Sequence, residues 1–221
     1  MVKVVLIGAT GFVGRPILDE ALAHDDVQVT AIVRNIASLP AHPRLTPVAC
    51  DIHDTDALAK AIEGHDAVIH AYHPGRDHVA DPAVYEMSIA GHEAVIAAVR
   101  QSGVKRLLCV GGAASLNTPE GKEYIESSHW DPAFDPYKPA IVGTRALYYL
   151  LKPERDLDWV FVAPSAWLRP GERTGAFRYG KDDMLFDAEG NSRISNEDYA
   201  LAMIEELRHP RHHRERFTVG Y

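Results

Sequence analysis

The hydrophobic and polar positions of this 221-residue chain follow two alternating periods. Short runs rich in Val, Ile, Leu and Ala are separated by longer stretches in which apolar residues recur every three or four positions, the pattern of strands alternating with helices. The runs predict seven strands, at residues 3–7, 27–33, 45–49, 67–71, 106–110, 159–163 and 216–219. Because helical patterns separate the strands, we expect right-handed crossover units and a parallel sheet in an α/β fold.

Capping residues mark the ends of the predicted helices. After a first helix that begins near residue 14, helices are expected at residues 55–63, from 81 or 82 to 101, at 140–152 and at 196–208. Asp54 is a suitable N-cap, and Ser195 with Asp198 three residues later resembles a capping box. Gly103 suits the left-handed residue that ends a helix.

A glycine-rich turn, Gly8-Ala9-Thr10-Gly11-Phe12-Val13-Gly14, joins the first strand to the first helix. The first glycine lets the strand turn sharply, the second lets a pyrophosphate approach the backbone, and the third lets the helix pack closely on the sheet. The N–H groups at the start of that helix then face the phosphates. We therefore predict that Gly8, Thr10, Gly11, Phe12 and Val13 bind a dinucleotide, against the alternative of a turn that binds nothing. The fold expected is a Rossmann-like doubly wound parallel sheet with helices on both faces.

The stretch from residue 164 to 194 differs from the rest, because it is rich in Gly, Arg and Asp and has only short apolar pieces. It follows the sixth predicted strand, and ligands in this class of fold lie outside the carboxyl ends of the strands. We interpret it as a small substrate-side insertion in one domain spanning residues 1–221. An ordinary surface hairpin is the alternative.

The residues that end the second, third and fourth predicted strands indicate which dinucleotide is bound. An NAD site usually carries Asp or Glu after the second strand, whereas this chain has Arg34, whose guanidinium suits a 2′-phosphate. NADP is therefore preferred and NAD remains possible, with a merely solvated Arg34 as the alternative. Asp51, followed by Ile52, is placed to meet the adenine amino group. Ala71 and Tyr72 are placed to line the ribose and pyrophosphate.

The composition of the chain limits which partners, metals and cellular compartment are expected. A net charge of -8 and a pI near 5.8 disfavour nucleic acid, and the basic stretch 208–216 is interpreted as a solvated loop. No apolar run approaches membrane-spanning length and no signal-peptide pattern is visible, so a cytoplasmic location is expected. Cys50 and Cys109 fall in separate strand-like runs and are expected to be buried, reduced thiols. His70, His73 and His78 lack the spacing of a metal site, so no metal is predicted.

With the glycine motif, Arg34 and Asp51 in place, the chain resembles the atypical, extended-like short-chain dehydrogenase/reductase superfamily. Within it, the similarity is to NAD(P)H-binding proteins of the epimerase/dehydratase-like and NADH-flavin reductase types. Residues 110–116, 158–161, 169–175 and 194–200 carry this resemblance. It implies a Rossmann-like fold and a bound nicotinamide cofactor.

The chain departs from the catalytic members of that superfamily, which carry Ser or Thr after the fifth strand and a Tyr-x-x-x-Lys pair at the head of the next long helix. Here Ala113 takes the serine position. Tyr137 stands where the tyrosine is expected, but Ile141 replaces the lysine. A literal Tyr-x-x-x-Lys at residues 148–152 lies at the far end of the helix and is expected to point away from the nicotinamide. Ser115 and Tyr137 are the remaining candidates for catalytic contacts, although a turn serine and a partly buried tyrosine are ordinary structural residues.

The missing lysine favours hydride transfer to a small conjugated acceptor of flavin or quinone type, since such acceptors need no positioned acid. Six aromatic residues could line a flat pocket: Trp130, Phe134, Tyr137, Trp167, Phe177 and Tyr179. Arg169 and Arg173 could meet an anionic group on the substrate. The alternatives are a non-catalytic NADP-binding sensor and a sugar-nucleotide epimerase or dehydratase. A small-molecule substrate and a monomer or homodimer are expected.

Overall fold

The computed structural model describes residues 1–75 and 81–221. Ten strands are present in this part of the chain: β1 (Val2–Ile7), β2 (Val27–Val33), β3 (Leu45–Ala49), β4 (Ala67–His70), β5 (Arg106–Val110), β6 (Asp158–Pro164), β7 (Trp167–Arg169), β8 (Arg178–Gly180), β9 (Arg193–Ser195) and β10 (Glu215–Gly220). Five α-helices accompany them: α1 (Gly14–Ala23), α2 (Thr55–Ile62), α3 (Val84–Ser102), α4 (Lys138–Leu151) and α5 (Asn196–Arg208). All seven predicted strands are present within one or two residues of the expected bounds.

The main sheet has eight strands in the order β3-β2-β1-β4-β5-β6-β10-β8. The first seven are parallel, and β8 is antiparallel to β10. The chain winds outward from β1 in one direction and from β4 in the other, so the order reverses between these two strands. This is the doubly wound Rossmann-like arrangement that the sequence predicts, and its crevice lies where the order reverses.

Two apolar cores cover the two faces of the sheet, because alternate residues of each strand point to opposite sides. One core joins α1 and α5 to residues such as Val4, Leu6 and Phe217. The other joins α2, α3 and α4 to residues such as Val5 and Phe161. Helices therefore cover both faces, as predicted.

Both edges of the main sheet are short or interrupted. The edge strand β3 contains Pro47, which has no N–H to donate and which pairs with Ala31 of β2. The opposite edge strand, β8, has only three residues. The fold thus ends at each side in a strand that offers few backbone donors to solvent.

The insertion contributes three strands that the sequence pattern did not predict. Strand β8 extends the main sheet, whereas β7 pairs with β9 as a separate two-stranded parallel ribbon. The buried carboxylate of Asp198 accepts hydrogen bonds from the Thr174 hydroxyl (2.6 Å), the Gly175 N–H (2.8 Å) and the Tyr221 hydroxyl (2.8 Å). The insertion is therefore fixed to the first turn of α5.

The capping box expected at α5 forms only in part. The Ser195 hydroxyl accepts a hydrogen bond from the Asp198 N–H at 3.0 Å, as predicted. The Asp198 side chain does not return to the Ser195 N–H, which donates instead to the Tyr221 hydroxyl at 3.2 Å. The carboxylate is committed to the insertion, so one residue both begins the helix and anchors the loop beside it.

Residues 209–214 form a mostly exposed loop, as the composition of 208–216 suggested, but a buried carboxylate holds this loop in place. The fully buried Glu206 carboxylate accepts hydrogen bonds from the Arg106 guanidinium (2.6 Å), the His212 ring (2.8 Å) and the Arg211 N–H (3.0 Å). The His212 ring stacks on Phe217 with centroids 4.1 Å apart. A buried acid thus organises this segment, because an isolated carboxylate in the core must be paired.

The two cysteines are both unpaired, and their surroundings differ. Cys109 is buried in β5, where burial raises the pKa of its thiol. Cys50 follows the end of β3 and is only partly buried, which corrects the expectation that both thiols lie in strands in the core.

Candidate functional site

The glycine-rich turn between β1 and α1 has the backbone geometry that close approach of a ligand requires. Gly8 has φ +83°, a conformation that other residues adopt at a cost. A Cβ on Gly8 would lie 2.8 Å from the carbonyl carbon of Ala71, and one on Gly14 would lie 2.8 Å from the carbonyl carbon of Gly8. The Gly11 N–H donates to the Gly8 carbonyl at 2.9 Å. The turn, here called the cradle, is therefore packed backbone against backbone and leaves no room for side chains at residues 8 and 14.

The start of α1 presents unused N–H groups to this cradle. No side chain caps the helix, and within the described residues the N–H groups of Val13 and Gly14 have no hydrogen-bond acceptor. Thr10 and Phe12 are exposed beside them, Phe12 with 41% of its surface accessible. Free N–H groups and the positive end of the helix dipole favour an anion. The cradle thus fits the pyrophosphate of a dinucleotide.

Arg34, Asp51 and Tyr72 lie close enough together for their charges to interact. Burial raises the pKa of Tyr72, the Arg34 guanidinium lowers it, and the Asp51 carboxylate raises it further. Arg34 and Asp51 are both exposed, and Ile52 is half-buried against the second core. Among the residues that the structure describes, Arg34 forms no ion pair. The structure therefore brings together the side chains expected to hold the adenosine end of the cofactor.

The residues after β4 lie beside the glycine-rich turn. The Ala71 N–H donates to the Ile7 carbonyl at 3.0 Å, which places its own carbonyl under Gly8. The Tyr72 ring lies against α3, where a Cβ on Gly91 would come within 2.7 Å of the Tyr72 Cζ. A glycine in the middle of α3 thus makes room for the tyrosine that borders the crevice.

A buried histidine pair supports this tyrosine, and sequence reasoning missed it. His70 Nε2 and His92 Nδ1 are 2.9 Å apart, and the His70 ring is parallel to that of Tyr72 with centroids 6.4 Å apart. Burial lowers the pKa of His70 well below its ordinary value and that of His92 to about 4, so both rings are neutral at pH 7. A histidine on the buried face of α3 is the one sequence signal that points to this pair.

The two candidate catalytic residues have very different surroundings. Ser115 is 1% exposed, and its hydroxyl and carbonyl oxygens accept hydrogen bonds from the Arg216 guanidinium at 3.0 and 2.5 Å. Tyr137 ends a short 3₁₀ helix just before α4 and is 49% exposed. Of the two, Tyr137 is accessible to a substrate, whereas Ser115 is held by a buried cation. Their catalytic roles stay predictions.

The literal Tyr-x-x-x-Lys sequence lies at the C-terminal end of α4. The Tyr148 ring packs on Phe161 (5.3 Å between centroids) and under the Arg216 guanidinium (4.3 Å). Burial raises the pKa of Tyr148, and the charge of Arg216 lowers it. Lys138, which directly follows Tyr137, has its ammonium 5.5 Å from the centre of the Trp130 ring. Tyr148 is therefore part of the packing between α4 and the sheet.

The aromatic residues expected to form one pocket separate into two groups. Phe134 lies between Trp130 and Trp167, with ring centroids 5.6 and 4.4 Å away. Phe177 instead packs on Tyr179 at 5.3 Å, beside the edge of the sheet. These ring contacts place five of the six residues in two groups, and Tyr179 of the second group packs on Phe217 of β10 at 6.0 Å. One pocket lined by all six residues stays a prediction.

The two arginines expected to meet a substrate also differ. Arg173 forms a two-point ion pair with the buried Glu20 of α1, at 2.7 and 2.8 Å, which lowers the pKa of Glu20. Its assignment to a substrate anion is corrected by this pair. Arg169 lies over the Trp167 ring, 4.0 Å from its centre.

No metal cluster of three or more His, Cys, Asp or Glu side chains occurs within residues 1–75 and 81–221. His70 is paired with His92, and His78 lies outside the described residues. None of the described helices is long and apolar enough to cross a membrane.

The fold and the cradle define an NAD(P)H-binding protein of Rossmann type. The chain belongs to the NAD(P)H-binding family, whose model matches residues 8–210. An L-arabinose 1-dehydrogenase (NAD(P)⁺) of Haloferax volcanii is 38% identical over 49% of this chain and 40% of its own length.

Three similar proteins illustrate the family. The uncharacterised protein YwnB of Bacillus subtilis (strain 168) is 35% identical over 98% of this chain and 97% of its own length. A crystal structure of a proposed epimerase from Bacteroides thetaiotaomicron is 41% identical, with a TM-score of 0.89 over 100% of this chain and 97% of the other. A proposed NADH-flavin reductase from Streptococcus pneumoniae is 26% identical, with a TM-score of 0.78 over 100% and 99% of the two chains.

Proposed function

We propose that this chain is an NADPH-dependent reductase that passes hydride to a small conjugated acceptor of flavin or quinone type. One observation carries the proposal: a tight glycine-rich turn leads into an uncapped α1, while Ala113 and Ile141 stand where the resemblance to the reductases expects a serine and a lysine. Such a site would hold a cofactor without the usual groups that move a substrate proton.

The residues proposed to hold the cofactor lie at and after the carboxyl ends of β1, β3 and β4. Gly8, Thr10, Gly11, Phe12 and Val13 would bind the pyrophosphate through the backbone and the start of α1. Ala71 and Tyr72 would border the ribose, while Asp51 and Ile52 would border the adenine. NADPH supplies a hydride when it is bound.

The missing proton donor selects among acceptors. Reduction of an isolated carbonyl leaves an alkoxide, and a positioned acid contributes about 10²–10⁴-fold to such a reaction. A flavin or a quinone instead becomes a delocalised anion that water can protonate, so the protein needs only to align the two partners. The reductase proposed here is therefore expected to be slow with simple ketones. Tyr137 is our candidate for a polar contact with the acceptor, and Ser115 is the second.

Arg34 supports NADPH over NADH. Its guanidinium is exposed beside Asp51 and Tyr72 and has no acid partner among the described side chains, so its charge is available to a 2′-phosphate. An acidic residue at this position would instead repel that phosphate.

A turnover panel tests the proposal. Oxidation of NADPH is followed at equal concentrations of riboflavin, a naphthoquinone, a simple aldehyde and a simple ketone. We expect turnover with the flavin and the quinone and at least about 100-fold less with the other two. A protein that binds NADPH at micromolar concentration but turns over none of them would refute the reductase and favour a cofactor sensor. Preferred turnover of the simple ketone would refute the acceptor class.

A further inference from the structure

A cleft of about 790 Å³ opens over the β7–β9 ribbon. Its lining includes Trp167, Arg169, Thr174, Arg193, Ser195 and Tyr221. The parallel register pairs Trp167 with Arg193 and Arg169 with Ser195, while Leu168 and Ile194 between them pack on the core. Ile194 also borders the cleft, so the ribbon presents mainly polar and aromatic side chains to it.

The cleft adjoins the proposed cofactor site. Ser195 lines it, and the next residue, Asn196, donates a hydrogen bond from Nδ2 to the carbonyl of Phe12 in the glycine-rich turn at 3.3 Å. Asn196 is 2% exposed, so this contact is a fixed part of the packing. A molecule in the cleft would thus lie beside the turn.

Arg169 is the one arginine of residues 164–221, all of them described, that both lines the cleft and has no partner for its charge. The others near the cleft are held by acids or carbonyl oxygens: Arg173 by Glu20, Arg178 by the carbonyls of Phe186 and Tyr221, Arg193 by Asp187 and Arg216 by Asp182. The Arg169 guanidinium lies 4.0 Å from the centre of the Trp167 ring. Stacking on an indole holds a guanidinium in place and leaves its N–H edge available to a planar or tetrahedral anion.

Two acidic side chains lie near this charge, and one of them, Glu197, accepts a hydrogen bond from the Gly171 N–H of the lining at 2.8 Å. The other, Glu172, lines the cleft, and no ion pair joins it to Arg169 in the described structure. The charge of Arg169 is therefore offset at a distance by Glu172 but not neutralised by contact. Removal of the Arg169 charge should weaken the binding of an anion, and removal of the Glu172 charge should strengthen it.

We propose that this cleft binds the anionic group of the acceptor, a phosphate or a carboxylate, with Arg169 as its direct partner. This inference rests on the proposed reductase function, because it names the class of acceptor: a conjugated ring that carries a negative charge. Pro170, Ala176 and Ile194 also line the cleft and provide apolar surface for the ring.

Two matched pairs of probes test the assignment. FMN and riboflavin share one ring system and differ by a phosphate, and a naphthoquinone carboxylate differs from its parent by a carboxylate. Dissociation constants are measured by isothermal titration calorimetry, with and without NADP⁺. We expect the protein to bind the charged member of at least one pair about tenfold more tightly or better, since hydrogen bonds to charged groups are strong. The pair that shows the preference identifies the anion.

Three variants decide whether Arg169 is responsible. Arg169→Gln should reduce the preference for the charged probe to about one while leaving the neutral probe and NADP⁺ affinity unchanged, and Glu172→Gln should increase it. Arg155→Gln, an exposed arginine that contacts only the backbone near the end of α4, should change nothing.

An unchanged preference in Arg169→Gln, or no preference in the unmodified protein, would overturn the assignment. Failure to bind any of the four probes would overturn it as well. Binding that depends on Arg169 without any oxidation of NADPH would refute the reductase and leave the anion site standing. Turnover that is equal for charged and neutral probes would refute the anion site and leave the reductase standing.

Discussion

Replacement of Gly8 by alanine should show how much the close backbone packing of the glycine-rich turn contributes to cofactor binding, apart from its contribution to the stability of the fold. Two effects act at this position. A side chain at φ +83° costs about 1–2 kcal/mol, and the new Cβ would lie 2.8 Å from the Ala71 carbonyl carbon and closer still to its oxygen. Relief of this overlap requires the turn and the end of β4 to move apart, at a further cost of about 1–3 kcal/mol. We expect Gly8→Ala to lower the free energy of unfolding by about 2–5 kcal/mol.

The same movement should weaken cofactor binding, because it displaces the turn from Ala71 and Tyr72. We expect the NADPH dissociation constant to rise at least about tenfold, equivalent to about 1.4 kcal/mol. Urea unfolding gives the stability, and the fluorescence change on NADPH binding gives the affinity. Gly64→Ala is the matched control, since Gly64 also has a positive φ, of +75°, but a Cβ there would contact nothing within 4 Å. It should lose about 1–2 kcal/mol of stability and bind NADPH normally.

An NADPH affinity in Gly8→Ala equal to that of Gly64→Ala would refute the reasoning. It would mean that the close approach of Gly8 to Ala71 is a packing feature of the sheet with no connection to the cofactor.

Three further changes test other parts of the site and the fold. Arg34→Glu should invert the preference for NADP⁺ over NAD⁺ measured by binding titration, whereas Arg155→Glu should leave it unchanged; equal ratios in both variants would remove Arg34 from the cofactor site. Tyr137→Phe should raise the KM for the acceptor about three- to tenfold with kcat unchanged, and a large fall in kcat would instead make Tyr137 a proton donor. Glu206→Gln should destabilise the fold by about 3 kcal/mol at pH 7, because it removes the buried charge that pairs with Arg106 and leaves Asp158 as the acidic partner of that guanidinium. Burial raises the pKa of Glu206, but its hydrogen bonds outweigh burial and hold the pKa below the ordinary 4.5. The stabilisation by Glu206 is therefore complete above pH 4.5 and is lost as the pH falls through the lower pKa of the folded state. At that low pH the free energies of unfolding of the variant and the unmodified protein should converge.

The strands of the main sheet were predictable because each is an apolar run long enough to show its period. Residues 2–7 and 158–164 are buried almost throughout, as in parallel sheets covered on both faces. The glycine-rich turn was predictable for a related reason, since its geometry depends on three local residues. The local sequence was therefore enough to predict a doubly wound sheet and the position of the glycine-rich turn.

The insertion was not predictable to the same degree. Strands β7, β8 and β9 have three residues each, too few for a period to show, and their pairing partners are distant in sequence. The commitment of Arg173 to Glu20 joins positions 153 residues apart, and nothing near either residue indicates it. The buried pair of His70 and His92 has only a weak signal, the place of His92 on the buried face of α3, and nothing in the sequence indicates its partner. Side chains whose role depends on tertiary contacts carry little local signal of that role.

The edges of the main sheet affect how two copies of this protein could meet. A second sheet that joined edge to edge would need a row of unpaired N–H and C=O groups. On one side Pro47 interrupts that row, and on the other side β8 provides a row only three residues long. Continuation of the sheet from one molecule into another would thus gain few hydrogen bonds, so the fold resists linear aggregation through its strands.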